Sequence, residues 1–161
     1  MTREAMIERL REQGLKITPQ RRLIIDVLIE KQPLHPSASL IYAEGKKRTP
    51  GLSLSTVYAT LHEFSRCGLL QTLEFDQREN RYEVNLEEHV NLICQRCGRI
   101  SDYPSPLLVD QAELTEKTGF MVRETRLEYY GHCRDCLGDR AAESPGCPCH
   151  HNPKRTEGGE R

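Results

Sequence analysis

The chain has 161 residues, a formal net charge of −1 and a hydrophobic content of 37%, with no Trp and three Phe. This length allows one domain or two small ones, and a small core favours a metal ion as a source of extra stability. The near-neutral charge excludes a strongly basic field over the whole chain, and no apolar run approaches the roughly 18–20 residues of a membrane span. Because the N-terminal stretch is also rich in Arg and Glu, we expect a cytoplasmic protein whose thiols stay reduced and which has no membrane partner.

The first half of the chain predicts short helices followed by a β-hairpin. In chain order, the predicted elements are helices over 3–13, from Thr18-Pro19, from Pro36-Ser37 and from Ser53 or Ser55 to Gly68, then strands over 69–75 and 81–85 around the polar turn 76–80. This order is typical of a winged helix-turn-helix, in which the last helix enters a DNA major groove and the hairpin is the wing.

The pattern changes after about residue 86 and predicts a small α/β domain. Its expected elements are strands over 89–94 and 100–103, a helix over 105–119 and a strand over 120–130. The fold class is therefore predicted as α+β, with a winged helix over residues 1–85 and an α/β domain over 86–138. Residues 139–161 are rich in Pro, Gly and charge without periodicity, so we expect a disordered tail.

Two Cys-x-x-Cys pairs, Cys94/Cys97 and Cys133/Cys136, are the most specific motif in the sequence. Four thiolates complete a tetrahedral Zn²⁺ site with Zn–S bonds of about 2.3 Å and no open position, as structural zinc requires. Gly98 follows the first pair where the chain must turn sharply. A redox Cys-x-x-Cys motif is the alternative, but it usually occurs once, near a βαβ pattern.

Nitrogen and oxygen ligands outside the cysteine pairs suggest a second metal site. His89 and Asn91 share one face of a predicted strand, Asp102 lies on its partner, Glu83 ends the wing and His35 precedes the third helix. A ligand set without thiolate suits Fe²⁺, Mn²⁺ or Zn²⁺. Since these ligands come from both halves of the chain, metal binding would be linked to DNA affinity. Taken singly, residues of these types are more often ordinary surface side chains.

DNA contacts are predicted at the start of the fourth helix. Ser55 and Thr56 place hydroxyls where free backbone N–H groups also point at phosphate, and Tyr58 lies one turn further on. Lys16 and Arg21 flank the second helix and could bind phosphates. A capped amphipathic helix with solvated basic neighbours is the alternative interpretation.

These motifs together resemble the ferric uptake regulator family. The resemblance covers about residues 5–137 and is carried by Leu15-Lys16-Ile17-Thr18-Pro19-Gln20-Arg21, His35-Pro36-Ser37, Ser55-Thr56-Val57-Tyr58, Arg81-Tyr82-Glu83, Cys94-x-x-Cys97-Gly98 and Leu127-Glu128-Tyr129-Tyr130-Gly131-His132-Cys133-x-x-Cys136. The Thr-Pro-Gln-Arg form most resembles the peroxide-responsive branch.

The resemblance implies a homodimeric, metal-dependent transcriptional repressor without enzymatic activity. It implies a winged helix that binds a palindromic double-stranded DNA operator and a C-terminal domain that dimerises. The four cysteines match its structural Zn²⁺ ligands, Lys16 and Tyr58 match DNA-contacting positions, and the regulatory Fe²⁺ or Mn²⁺ ligands fall on His35, Glu83, His89, Asn91 and Asp102.

Three residues depart from the family pattern. The peroxide branch usually has Asp at Glu83 and His at Asn91, whereas iron-responsive members often have Arg at Ala59. A neutral amide oxygen is a weaker ligand than imidazole for a late first-row metal, so the sensed signal is left open. The alternatives are an iron- or zinc-uptake regulator without a peroxide response, a dithiol redox protein and a zinc-stabilised interaction module. The tail segment Cys147-Pro148-Cys149-His150-His151 lies outside the resemblance and is interpreted as an accessory metal-binding segment or an inert tail.

Overall fold

Two units make up the chain, Met1–Glu87 and Glu88–Arg161. The structure is a computed structural model, which describes residues 1–75, 78–104, 110–123 and 125–137. The predicted tail and its Cys147–His151 segment lie outside the described residues, and the domain boundaries derived from the sequence stay predictions. Within the described part of the chain, no helix combines the length and apolar character that crossing a membrane requires.

Four α-helices and a short hairpin form the first unit. The helices are α1 (Arg3–Glu12), α2 (Pro19–Lys31), α3 (Ala38–Arg48) and α4 (Leu54–Arg66), with a 3₁₀ turn at Gln32–Leu34. Thr18, Ser37 and Ser53 each cap a helix by accepting the backbone N–H three residues on. Gly68 ends α4 with a φ of 64°, a left-handed conformation that suits glycine. The predicted helices of this unit are thus confirmed.

The apolar faces of the helices form one core in the first unit. Its fully buried side chains include Met6, Leu10, Ile24, Ile25, Val27, Leu28, Ile41, Val57, Leu61, Phe64 and Leu69. Leu61 and Phe64 place the inner face of α4 in this core, so the opposite face, with Tyr58 and His62, remains exposed.

The hairpin is shorter than the sequence predicted. Strands β1 (Gln71–Leu73) and β2 (Arg81–Glu83) pair antiparallel, with Thr72 opposite Tyr82. Leu69 does not start the strand, because its N–H bonds to the Phe64 carbonyl and completes the exit from α4. Part of the predicted turn, residues 76 and 77, lies outside the described residues.

A three-stranded sheet forms the centre of the second unit. Its order is β4 (Ile100–Pro104), β3 (His89–Cys94) and β5 (Glu128–Gly131), with β3 antiparallel to β4 and parallel to β5. Helices α5 (Gln111–Thr118) and α6 (Arg134–Leu137) complete the unit. The α+β fold class is therefore confirmed.

Two boundaries in the second unit differ from the prediction. Helix α5 begins after Asp110, which has an extended backbone and whose side-chain Oδ1 accepts the N–H groups of Ala112 and Glu113. Residues 105–109, where the helix was expected to start, are outside the described range. The strand expected over 120–130 is limited to β5, because its ladder with β3 starts where Glu128 lies opposite Asn91.

Candidate metal centres and DNA-facing surface

The four cysteines of the two Cys-x-x-Cys pairs lie in one cluster. Cys94 ends β3, Cys97 lies in the turn that follows, and Cys133 and Cys136 lie at α6. Their sulfur atoms all lie within 4.8 Å of one another, and the Cys97 and Cys133 sulfurs are 3.8 Å apart. Zn–S bonds of about 2.3 Å separate sulfurs at tetrahedral corners by about 3.8 Å. The cluster therefore fits a closed tetrahedral zinc site.

Backbone hydrogen bonds around the Cys94/Cys97 pair favour the metal-binding form of Cys94. Gly98, at a φ of 73°, donates its N–H to the Cys94 carbonyl at 2.8 Å, and the Cys94 N–H donates to the Arg99 carbonyl. Burial by itself raises the pKa of Cys94, but hydrogen bonds from the backbone at Cys97 and Cys133 outweigh it and lower that pKa to about 6. The Cys94 thiolate, which is the metal-binding form, is thus favoured near neutral pH.

Charged side chains connect the two Cys-x-x-Cys pairs. Arg99 pairs with Asp135 at 2.7 Å, and Arg96 donates to the Cys136 carbonyl at 2.9 Å. Both arginines lie beside the Cys94/Cys97 pair and both acceptors lie in the segment of the Cys133/Cys136 pair. These contacts therefore hold the two pairs together in addition to any metal bonds. These two contacts were not predicted from the sequence, in which the available signal was the position of the charged residues beside the cysteines.

His35 and Glu83 form a buried pair in the first unit. The His35 Nε2 and Glu83 Oε1 atoms are 3.3 Å apart, and each residue is 2% exposed. Ser37 bridges Arg81 in antiparallel fashion, and the Tyr82 N–H donates to the Pro36 carbonyl at 3.0 Å. Continuing this register places His35 opposite Glu83.

The backbone at His35 is left-handed, with a φ of 45°. It is the only non-glycine residue with positive φ in the described part of the chain, and such conformations concentrate at functional sites. The strain accompanies the change from the 3₁₀ turn into the extended segment that pairs with β2. Because the 3₁₀ turn precedes this segment and β2 pairs with it, the segment is restrained and the His35 imidazole stays beside the Glu83 carboxylate.

The remaining predicted metal ligands lie on the sheet of the second unit. His89 and Asn91 are two residues apart on β3, and Asp102 is the cross-strand partner of Asn91 on β4, so the three share one face. Asn91 is buried, His89 is half-buried and Asp102 is exposed. These side chains supply an imidazole nitrogen, an amide oxygen and a carboxylate.

The predicted DNA contacts cluster at the N-terminus of α4. Ser55 and Tyr58 are exposed, and the Ser53 hydroxyl lies 2.9 Å from that of Ser55 and 2.8 Å from that of Thr56. Thr56 and Lys16 line one shallow hollow of about 590 Å³. Hydroxyl and ammonium groups thus open onto the same surface as the helix N-terminus, an arrangement suited to phosphate.

Arg21 takes part in this surface through neighbours within the chain. Its guanidinium pairs with Glu63 of α4 and donates to the Lys16 carbonyl at 2.5 Å. The side chain therefore ties the segment before α2 to α4. Its direct contact with phosphate stays a prediction.

A winged helix with hydroxyl and basic groups at its fourth helix, followed by a sheet unit with a Cys₄ zinc site, defines a metal-containing DNA-binding regulator. The model of the family described as "Ferric uptake regulator family" matches residues 12–130. The chain belongs to this family, and it is a metal-dependent transcriptional repressor rather than an enzyme.

Relatives from several bacteria support this assignment. The Peroxide operon regulator of Bacillus subtilis (strain 168) is 37% identical over 131 residues, covering 81% of this chain and 90% of the relative. The Peroxide-responsive repressor PerR of Staphylococcus epidermidis (strain ATCC 12228 / FDA PCI 1200) is 35% identical over 134 residues, covering 83% and 89%.

Solved structures show the same fold. The Helicobacter pylori ferric uptake regulator Fur matches with a TM-score of 0.70 and 25% identity, over 86% of this chain and 95% of that one. The Campylobacter jejuni peroxide stress regulator matches with a TM-score of 0.64 and 30% identity, over 81% and 98%. A zinc-bound manganese uptake regulator matches with a TM-score of 0.60 and 32% identity, over 80% and 98%.

Proposed function

We propose that this chain represses peroxide-stress genes by binding a palindromic operator as a homodimer when Fe²⁺ or Mn²⁺ occupies its regulatory site. The buried His35–Glu83 pair is the observation that supports this most strongly, because it combines an imidazole and a carboxylate with a strained backbone. Two relatives named as peroxide regulators, each more than a third identical, favour the peroxide signal.

We assign the two metals to different residues. Zn²⁺ would be held by Cys94, Cys97, Cys133 and Cys136 and would stabilise the second unit. The regulatory ion would take its ligands from two sets, His35 and Glu83 in the first unit and His89, Asn91 and Asp102 in the second. Nitrogen and oxygen donors without thiolate suit Fe²⁺ and Mn²⁺. An ion that takes ligands from both sets would link metal binding to operator affinity.

The proposed DNA-binding residues are Lys16, Arg21, Ser55, Thr56 and Tyr58. Lys16, Ser55 and Thr56 would contact phosphates and position α4, while Tyr58 would reach the bases. Arg21 would act by holding the Lys16 backbone against α4. The site of action would be the cytoplasm, where the cysteines stay reduced.

The peroxide response would be carried by a ligand histidine, His35 or His89. Bound Fe²⁺ supplies the redox chemistry. One imidazole gains an oxygen atom while one peroxide is reduced to water, and the altered ring loses its value as a ligand. Mn²⁺ would support repression without this reaction.

The first test is fluorescence anisotropy on a palindromic duplex from the upstream region of the chain's own gene. We expect the Fe²⁺-loaded, zinc-intact protein to bind and then to release the duplex after a brief micromolar peroxide pulse, while the Mn²⁺-loaded protein stays bound. Mass spectrometry should find the added oxygen on His35 or His89. His89→Ala should keep its zinc and its melting temperature but lose metal-dependent binding.

A metal-uptake regulator without a peroxide response is the second candidate. Glu83 and Asn91 favour it, since the longer carboxylate and the neutral amide change the ligand set from that of the peroxide branch. Retention of the duplex after the pulse would support this second function. Absence of metal-dependent binding to any duplex would overturn both.

A further inference from the structure

The Glu79 carboxylate lies between the wing and the two helices of the helix-turn-helix. Its Oε1 atom accepts the backbone N–H of Ser39, on α3, at 2.8 Å. The same oxygen lies 3.5 Å from the hydroxyl of Tyr58, on α4, which donates to it. One oxygen atom therefore contacts the start of α3 and the side chain proposed to reach the bases.

The contact with α3 holds the carboxylate in place. Ser37 caps the N–H of Leu40, and Glu79 takes the N–H of Ser39, so the two together satisfy two free donors at this helix N-terminus. The helix dipole also favours a negative charge there. Burial by itself raises the pKa of Glu79, but hydrogen bonds from Ser39 and Ser37 outweigh it and lower that pKa, so the group is ionised at neutral pH.

The same segment leads to the proposed metal ligands of the first unit. Glu79 is two residues before Arg81, which bridges Ser37, and the next pair in that register is joined by the bond from the Tyr82 N–H to the Pro36 carbonyl. The register ends at His35 and Glu83. The segment that pairs with His35–Ser37 therefore leads along the chain to Glu79, whose Oε1 atom lies 3.5 Å from the Tyr58 hydroxyl.

We propose that Glu79 is a positioning residue of the DNA-binding surface, which fixes the Tyr58 hydroxyl relative to the paired segments that carry His35 and Glu83. The inference rests on the proposed function. Tyr58 is 44% exposed, and its ring would otherwise rotate freely at the surface. A fixed hydroxyl reduces the conformational freedom lost on binding DNA. It also makes the position of Tyr58 depend on the paired segments that carry the proposed metal ligands His35 and Glu83.

The simpler role for Glu79 is to cap α3 and nothing more. Both roles weaken DNA binding if the carboxylate is removed, so a single substitution does not separate them. The difference lies in coupling: a cap acts whether or not Tyr58 has a hydroxyl, whereas a positioning residue acts through that hydroxyl. A double-mutant cycle measures this difference directly.

The experiment compares Glu79→Ala, Glu79→Gln, Tyr58→Phe and the two double variants. The probe is a duplex selected from a random pool by the Mn²⁺-loaded wild-type protein, and affinity is measured with and without Mn²⁺. We expect Glu79→Ala to weaken Mn²⁺-dependent binding by about three- to tenfold, the range expected for one hydrogen bond. Glu79→Gln should restore most of the affinity, because its amide oxygen accepts from the same donors.

In the Tyr58→Phe background, Glu79→Ala should cause less than about a twofold further loss. The affinity gain caused by Mn²⁺ should also be smaller in Glu79→Ala than in the wild type. An equal loss in both backgrounds would overturn the proposal and leave Glu79 as a helix cap. If Glu79→Ala fails to fold, Tyr58→Phe alone still tests the proposal, because unchanged Mn²⁺-dependent affinity after removal of the hydroxyl would overturn it. Failure of the wild-type protein to select any duplex would instead overturn the proposed function, and this inference with it.

Discussion

At the scale of single residues, the cysteine cluster replaces much of the apolar core that the second unit lacks. Within the described part of this unit, the buried apolar side chains are Val90, Ile93 and Ile100, together with Cys94 and Cys136, and α5 buries none of its residues. The apolar area buried by these described residues is small for a domain core. We therefore expect metal binding to contribute folding free energy, and structural zinc in small domains supplies about 10 kcal/mol or more.

Cys94→Ser should consequently remove the zinc and unfold the second unit. Cys67→Ser is the matched control, because Cys67 is half-buried in the first unit and lies outside the cluster. Zinc content per chain and thermal unfolding by circular dichroism measure the two effects. We expect full zinc content and little change in melting for the control. A zinc-free Cys94→Ser protein that melts like the wild type would show that the cluster is not a structural site.

At the scale of elements, the packing of α3 against the loop before α4 positions the DNA-facing helix. Gly45 lies within α3, and a Cβ atom there would approach the Cδ2 atom of Leu52 to 2.7 Å. Leu52 is 3% exposed and immediately precedes the Ser53 cap of α4. The absence of a side chain at Gly45 thus allows α3 to lie close to the start of α4.

Gly45→Ala should therefore destabilise the first unit. Overpacking of a core costs about 1–3 kcal/mol, and the better helix propensity of alanine returns about 1 kcal/mol. We expect a net loss of about 1 kcal/mol in the free energy of unfolding, measured by urea titration. Gly51→Ala is the control, since its Cβ would meet no atom within 4 Å. Equal stability of the two variants would contradict this account of the packing.

Elements that depend on local signals could be predicted from the sequence. Thr18, Ser37 and Ser53 are caps whose hydroxyls accept hydrogen bonds within one helical turn. In each Cys-x-x-Cys pair the two cysteines are likewise only three residues apart in the sequence. The length of β5 could not be predicted, because it depends on pairing with a strand more than 30 residues away. The start of α5 was missed although Asp110 is as local a cap as the other three.

The site shows the same division. His35 was predicted as a ligand but its pairing with Glu83 depends on a strand register across 48 positions of the chain. Glu79 was placed in a polar turn, and nothing local distinguishes it from its neighbours. Its contacts with Ser39 and Tyr58 arise only when the wing folds against the helices.

At the scale of the whole molecule, an apolar face of the second unit favours assembly with a second copy. Leu92 and Tyr129 are register partners on β3 and β5, and Tyr103 lies on the same face of the sheet. These side chains are 40%, 61% and 60% exposed. A hollow of about 370 Å³ that includes Leu92 and Tyr129 opens beside Cys94. Several large apolar side chains exposed on one sheet face are typical of an interface.

Leu92→Glu should shift the proposed homodimer toward monomers. In a two-fold symmetric interface each substitution occurs twice. Removing two leucines that the dimer would bury, and adding two charges, should therefore weaken dimerisation by about 100-fold or more. Sedimentation equilibrium measures the dissociation constant. Leu34→Glu is the control, because Leu34 is 62% exposed in the first unit and receives the same change. Since the proposed palindromic operator would be bound by two winged helices, Leu92→Glu should also lose operator affinity while keeping its zinc. A dimer as tight as that of Leu34→Glu would place the interface on another surface of the chain.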